Sequence, residues 1–190
     1  MALVIPAVAA SLVALAYLVT RPLGGEPQPS FFVIGSSKPG LQLGQIAPGI
    51  QAGSAPLPMT DVDGAPVALT DLAGRPIWII FWKTACEPCE AEAPDVAAAY
   101  AAHAADRLAL LGIDVWDTSA AARDYLAAHP SKYPIAFATS GDLMEAYGIW
   151  GAPTHYFIGS DGIIRDRYFG PMTPAQIEAS LARILPASSS

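Results

Sequence analysis

The run "PIWIIFW", residues 76–82, has no polar position in it, and it predicts a strand buried on both faces. "RLALLGIDV", 107–115, repeats the pattern and predicts a second buried strand. Between them lies the alanine-rich stretch "CEPCEAEAPDVAAAYAAHAA", which predicts a helix from Cys86 to about Ala105. Pro94 should kink that helix, because it removes a backbone donor and crowds the preceding turn. Upstream, "MTDVDGAPVALTDLAG" sets Asp63-Gly64 between short apolar stretches, a hairpin signal. Downstream, Asp117 or Thr118 can cap a helix running to about Ala128. A short strand follows at Ile135–Ala138, then a helix over Asp142–Tyr147. "APTHYFIG" and "GIIRDRYFG" read as two strands joined at Asp161-Gly162. Thr173-Pro174-Ala175-Gln176 is a capping box with proline at the first helical position, opening a helix to about Leu185. Strands alternating with helices, closed by a hairpin and a helix, predict an α/β domain. Its mixed central sheet carries helices on both faces.

The N-terminus breaks this pattern. Ala2 to Thr20 contains no charged residue and is long enough to cross a bilayer as one helix. A cleaved signal peptide is the competing reading, but "MALVIPAV" lacks a basic start, so an uncleaved signal-anchor over 1–21 is favoured. Residues 22–55 are dense in Pro, Gly and Ser, which predicts a tether whose later part can pack on the domain edge. The domain is expected over 56–186, with a disordered tail at 187–190.

Composition agrees with an anchored domain. Mean hydropathy is +0.37, and hydrophobic residues make up 53% against 14% charged. The net charge of −7 argues against nucleic-acid binding, which needs basic patches.

The chain has two cysteines, Cys86 and Cys89, three positions apart. A local bridge of this kind closes almost no loop and stabilises little, so the pair is chemical rather than structural. The strand ending at Trp82 and the helix starting near Cys86 place Cys86 at a helix N-terminus, where free amides and the macrodipole favour a thiolate. Cys86, expected at the exposed end, would attack a substrate disulfide, and Cys89, one turn further in, would resolve the mixed disulfide.

"FWKTACEPCEAEAP" resembles the active-site stretch of membrane-anchored thioredoxin-fold proteins of the TlpA, ResA and CcmG/DsbE type. "DVDGAPVALTDLAGRPIWIIFW" looks like that family's opening hairpin and first core strand. "YGIWGAPTHYFIGSDGIIRDRYFG" is similar to a stretch found particularly in the CcmG/DsbE branch. The resemblance covers about residues 45–185 and implies a thioredoxin-like fold. It also makes Cys86–Cys89 a redox-active disulfide with no further cofactor, and makes Pro153 a cis-proline facing it. Ala152 would then offer its backbone to a bound substrate strand, with Trp82 and Pro88 on the same contact surface. Glu92 falls on the family's acidic position, as a modulator of thiol pKa and a proton carrier, and Glu87 in the gap tunes the pair. A carboxylate near a thiol opposes its ionisation.

Two positions depart from the family pattern. Ala85 stands where tryptophan is usual, and Lys83 where small residues are common. Thioredoxin's buried aspartate corresponds to Ile80 here, which leaves Glu92 as the better proton-transfer group. Trp78, Trp116 and Trp150 read as core or rim packing, and His103 and His129 as surface groups.

The resemblance implies an extracytoplasmic, single-pass protein of the cytoplasmic membrane that keeps specific protein thiols reduced, notably apocytochrome c cysteines in cytochrome c maturation. Its electrons would come from a membrane thiol transporter. The alternative is a copper-binding assembly factor for a respiratory oxidase using Cys86, Cys89 and His155, a soft donor set. A peroxidase is a third reading, since peroxiredoxins share the fold, but their peroxidatic cysteine sits in a different local motif.

Overall fold

A computed structural model describes residues 41–186. The expected anchor, the tether as far as residue 40 and the tail 187–190 lie outside the described residues. Among the described residues no helix is long and apolar enough to cross a membrane.

The strands are β1 (Met59–Asp61), β2 (Pro66–Val67), β3 (Ile77–Trp82), β4 (Ala109–Asp114), β5 (Ile135–Ala138), β6 (Thr154–Ile158) and β7 (Ile164–Phe169). The helices are α1 (Glu87–Ala102), α2 (Ser119–Ala128), α3 (Asp142–Tyr147) and α4 (Pro174–Leu181). One mixed sheet joins the strands in the order β2-β1-β5-β4-β3-β6-β7. β3, β4 and β5 run parallel, while β6 lies antiparallel to β3, and β1 antiparallel to β5. This is a thioredoxin-like arrangement. β1 and β2 pair antiparallel across Asp63-Gly64, where Gly64 takes φ 87°, a backbone that glycine tolerates.

β3 is apolar throughout because both of its faces are covered. Ile77, Ile79 and Phe81 pack with Leu143 and Tyr147 of α3. Trp78 and Ile80 point the other way, onto Val96 and Ala99 of α1 and Ile177 and Leu181 of α4. Trp82, on that same face by alternation, joins Ala122 of α2, Ile135 and Phe137. α1 runs through Pro94.

The later part of the expected tether belongs to the packed domain. Ala47 and Ile50 are buried among the residues under α3. Ile46 bridges to Ile163, and Gly44 and Ala47 donate their N–H groups to the carbonyls of Ile164 and Gly162. Arg167 Nη1 reaches the carbonyl of Leu41.

α4 opens with both halves of its capping box: Gln176 N–H donates to Thr173 Oγ1, and Thr173 N–H to Gln176 Oε1. Thr173→Ala is expected to cost about 1 kcal/mol. Thermal unfolding should show it as a drop in Tm of about 3 °C.

Candidate functional site

β3 and β4 are parallel and end side by side, with Trp82 paired to Asp114. The site is built on this C-terminal edge, where the connections leave the sheet. From Trp82 the chain passes Lys83 and Thr84 to Ala85, whose φ of 50° lies in the left-handed region. Few side chains adopt that backbone, and here it turns Cys86 into the N-cap of α1. Cys86 keeps extended backbone while its carbonyl accepts the N–H of Glu90 at 3.0 Å. Glu87 and Pro88 form the first turn, both exposed. Cys86 and Cys89 are joined by a disulfide, with their Cα atoms 5.2 Å apart.

The sequence places Cys86 at an exposed end, but the structure seats it. Cys86 is 4% exposed in the disulfide form, and Cys89 is half-buried. A helix start usually reaches the surface, but this one is drawn down by the short turn from the buried end of β3. Cys89 instead packs at the edge of the Trp82 group. That contact places the indole where it can report on the pair's redox state.

The Ala152–Pro153 peptide bond is cis, and Pro153 is buried. Phe81 pairs with Thr154, so Pro153 lies at the level of Trp82, one step further along the two strands. Ala152 is half-buried at the mouth of this corner. Trp150 stands 63% exposed and Trp116 36% exposed, whereas Trp78 is fully buried. Trp150 is therefore a surface group of this end of the domain rather than a packing one.

Glu92 lies one turn beyond Cys89 and is 4% exposed. Its Oε2 accepts the Met172 N–H at 2.9 Å. Its Oε1 is 3.3 Å from His155 Nε2, and His155 is fully buried. The other ring nitrogen of His155 accepts from Trp78 Nε1 at 3.3 Å. One ring nitrogen is thus taken by Trp78, and the other faces Glu92. Among the described residues no cluster of three metal-ligating side chains forms, so Cys86, Cys89 and His155 are not gathered into the donor set that a copper site requires.

Cys89 and Glu92 open onto one cleft of about 480 Å³ between α1 and the chain after α2, walled by Trp82, Tyr125, Leu126 and Tyr133. Lys83 and Lys132, two of the chain's three lysines, line it. Burial, and then the charge of Glu92, push the Tyr133 phenol up to about 12. His129 is a surface group, stacked on Tyr125 at 4.4 Å. His103 is half-buried between Asp106 and Glu178, and hydrogen bonds to them raise its pKa.

One feature was not anticipated from the sequence. Asp114 is 1% exposed, and its Oδ1 accepts the N–H groups of Trp116 and Asp117 at 3.0 Å each. Its Oδ2 has no hydrogen-bond partner. Burial pushes its carboxyl up to about 6; the two backbone hydrogen bonds oppose that shift, and neighbouring Asp117 adds to it. Asp117 does not cap α2, because Thr118 does. Asp117 Oδ2 instead accepts the Thr84 N–H at 2.7 Å, holding the turn two residues before Cys86. The sequence signal was an acid closing an otherwise apolar run, "LLGIDVWD".

Comparison with known proteins fits this geometry. The AhpC/TSA family model matches residues 43–167. The thiol-disulfide oxidoreductase ResA of Bacillus anthracis is 28% identical over 151 residues, covering 80% of this chain and 83% of that protein. The crystal structure of StoA from Bacillus subtilis superposes with a TM-score of 0.57 at 26% identity, over 66% of this chain and 96% of that one. The exposed lipoprotein thioredoxin Etrx1 of Streptococcus pneumoniae gives 0.60 at 26% identity, over 67% and 98%. With a C-x-x-C pair bridged at the head of α1, the chain belongs to the AhpC/TSA family and is a thioredoxin-like thiol-disulfide oxidoreductase of the TlpA/ResA/CcmG type.

Proposed function

We propose that this oxidoreductase is a reductant of specific protein disulfides outside the cytoplasm, with apocytochrome c cysteines as the substrate class and a membrane thiol transporter as electron donor. The observation that carries the direction is Glu92, a carboxylate with 4% exposure one turn from Cys89. A strong disulfide oxidase is oxidising because its reduced, thiolate form is stabilised. Buried negative charge acts the other way: it disfavours the thiolate and the reduced form, and so lowers the potential. Glu87 in the gap adds to the effect, while the helix N-terminus and Lys83 oppose it. Cys86 is the nucleophile, Cys89 resolves, and Ala152 and Pro153 receive an extended substrate segment beside Trp82 and Pro88. The uncharged run Ala2–Thr20 supports a single-pass anchor in the cytoplasmic membrane, with this domain on the outer side.

The potential of the Cys86–Cys89 couple in the full chain, equilibrated in defined glutathione or dithiothreitol buffers, tests the direction. The expected value is at or below roughly −220 mV. A value near roughly −120 mV, that of a strong oxidase, would reverse the electron flow. The reduced protein is also expected to open the disulfide of a C-x-x-C-H peptide faster than that of an unrelated peptide.

A further inference from the structure

The fully buried histidine behind the thiols has no part in the scheme above. His155 sits on β6 opposite Ile80, on the sheet face that carries α1 and α4. An indole N–H can only donate, so Trp78 Nε1 makes His155 Nδ1 an acceptor. The proton of the neutral ring therefore sits on Nε2, 3.3 Å from Glu92 Oε1. Nε2 has no other partner among the described residues, and this contact is not aligned as a full hydrogen bond in the disulfide form. A second ring proton would set Nδ1–H against the Trp78 N–H, donor to donor, with 0% exposure. Glu92 thus has an N–H facing each oxygen, Met172 on Oε2 and His155 on Oε1.

We propose that His155 is a positioning residue that holds Glu92 as a carboxylate ready to take the proton of Cys89. This rests on the reading of Cys86 and Cys89 as nucleophile and resolver, with Glu92 as proton acceptor. In the mixed disulfide, Cys86 Sγ is bonded to a substrate sulfur. The Cys89 thiol gives its proton to Glu92, and the thiolate attacks Cys86 Sγ. The Cys86–Cys89 bond forms, and the bond to the substrate sulfur breaks. The electron pair leaves on the substrate thiolate, which takes a proton from Glu92 or water. The cysteine pair is oxidised and the substrate reduced, by two electrons. The other titratable groups on this cleft are Lys83, Glu90, Tyr125, His129, Lys132 and Tyr133. None of them meets Nε2, and a neutral His155 adds no charge to theirs.

The test separates attack from resolution. The reduced full chain, in detergent, is mixed with 5,5′-dithiobis(2-nitrobenzoate). One coloured thiolate is released when Cys86 attacks and a second when Cys89 resolves. In His155→Leu, attack is expected to change little. Removing the N–H that faces the carboxylate should move the midpoint of resolution up by about one pH unit, with resolution about tenfold slower below it. His155→Gln, which can replace the donor, should recover most of this. In Glu92→Gln, resolution should be slow, and adding His155→Leu should change nothing further. Nitrogen-15 spectra of the full chain should show His155 as the Nε2–H tautomer from about pH 5 to 8, across the ordinary histidine range.

A wild-type pH profile in a folded His155→Leu protein would overturn the proposal. So would an undiminished His155→Leu effect in the Glu92→Gln background, or an imidazolium at His155 near neutrality. Failure of the wild type to release the second thiolate would overturn the resolving role of Cys89, and the proposal with it. Normal resolution with an indifferent His155 sinks the proposal alone.

Discussion

Cys86→Ser is expected to reduce turnover of a C-x-x-C-H peptide disulfide by on the order of a thousandfold or more, the scale on which loss of a covalent nucleophile acts. Cys89→Ser should fail differently. It keeps the attacking thiol and loses the resolver, so the protein should accumulate as a covalent adduct with the peptide. Mass spectrometry of the two variants after equal exposure decides the roles. An adduct with Cys89→Ser and none with Cys86→Ser is the expected pattern. The experiment is a close one because the disulfide form buries Cys86 to 4% exposure and leaves Cys89 the more open of the two. Cys86 is therefore favoured as the attacker by the free amides at the head of α1, which favour its thiolate, rather than by access. If the adduct forms through Cys89 instead, access has outweighed ionisation and the assignment is reversed.

The second large effect concerns pH. Asp114 has its carboxyl raised from 3.8 to about 6, chiefly by burial. An acid with a higher pKa in the folded state binds its proton more tightly there than in the unfolded chain. Its contribution to stability therefore declines as pH rises from near 3.8 through about 6, and is level above. The shift corresponds to about 3 kcal/mol at most. Asp114→Asn removes the charge while keeping an oxygen for the Trp116 and Asp117 amides. At pH 8 the variant should gain about 1–3 kcal/mol, with the gain vanishing near pH 4. Urea unfolding of both proteins across this range checks it. His103, raised by its two carboxylate partners, also loses stabilisation as pH rises above its ordinary 6.5. The difference between the two proteins cancels that contribution. A pH-independent difference would show that Asp114 is not the group responsible. The native acid has a local use that the variant puts at risk: it holds the amide of Asp117, whose side chain holds Thr84.

The elements were legible where one local signal decides them. The apolar run 76–82 became β3, the Thr173 capping box became the start of α4, and Ile135–Ala138 and Asp142–Tyr147 appear with the limits expected. The thiol pair was legible because its chemistry is contiguous. Three features were not, and each depends on contacts between distant segments. Glu92 and His155 are brought together by α1 crossing β6, and no spacing rule joins them. His155 looked like an available ligand because the sequence does not show that Trp78 and Glu92 occupy its ring. The sequence offers Asp117 as a cap for α2, but the turn before Cys86 takes it as its anchor. Cys86 was expected to be exposed by a rule about helix ends that the seating of this particular helix overrides.

Residues 44–47 have a role beyond filling the space under α3. They run along the start of β7, whose opposite edge is paired with β6. An unpaired strand edge is a template for another chain, and natural sheets block such edges. These residues act as a guard rail on the outer side of the sheet. A fragment begun at residue 56 would lose it, along with the cover that Ala47 and Ile50 give the core. Proteolysis between Gly49 and Pro58 would have a similar consequence if the cut segment came away. The predicted outcome is self-association through the bared edge, so turbidity rather than lost activity would be the first sign of damage.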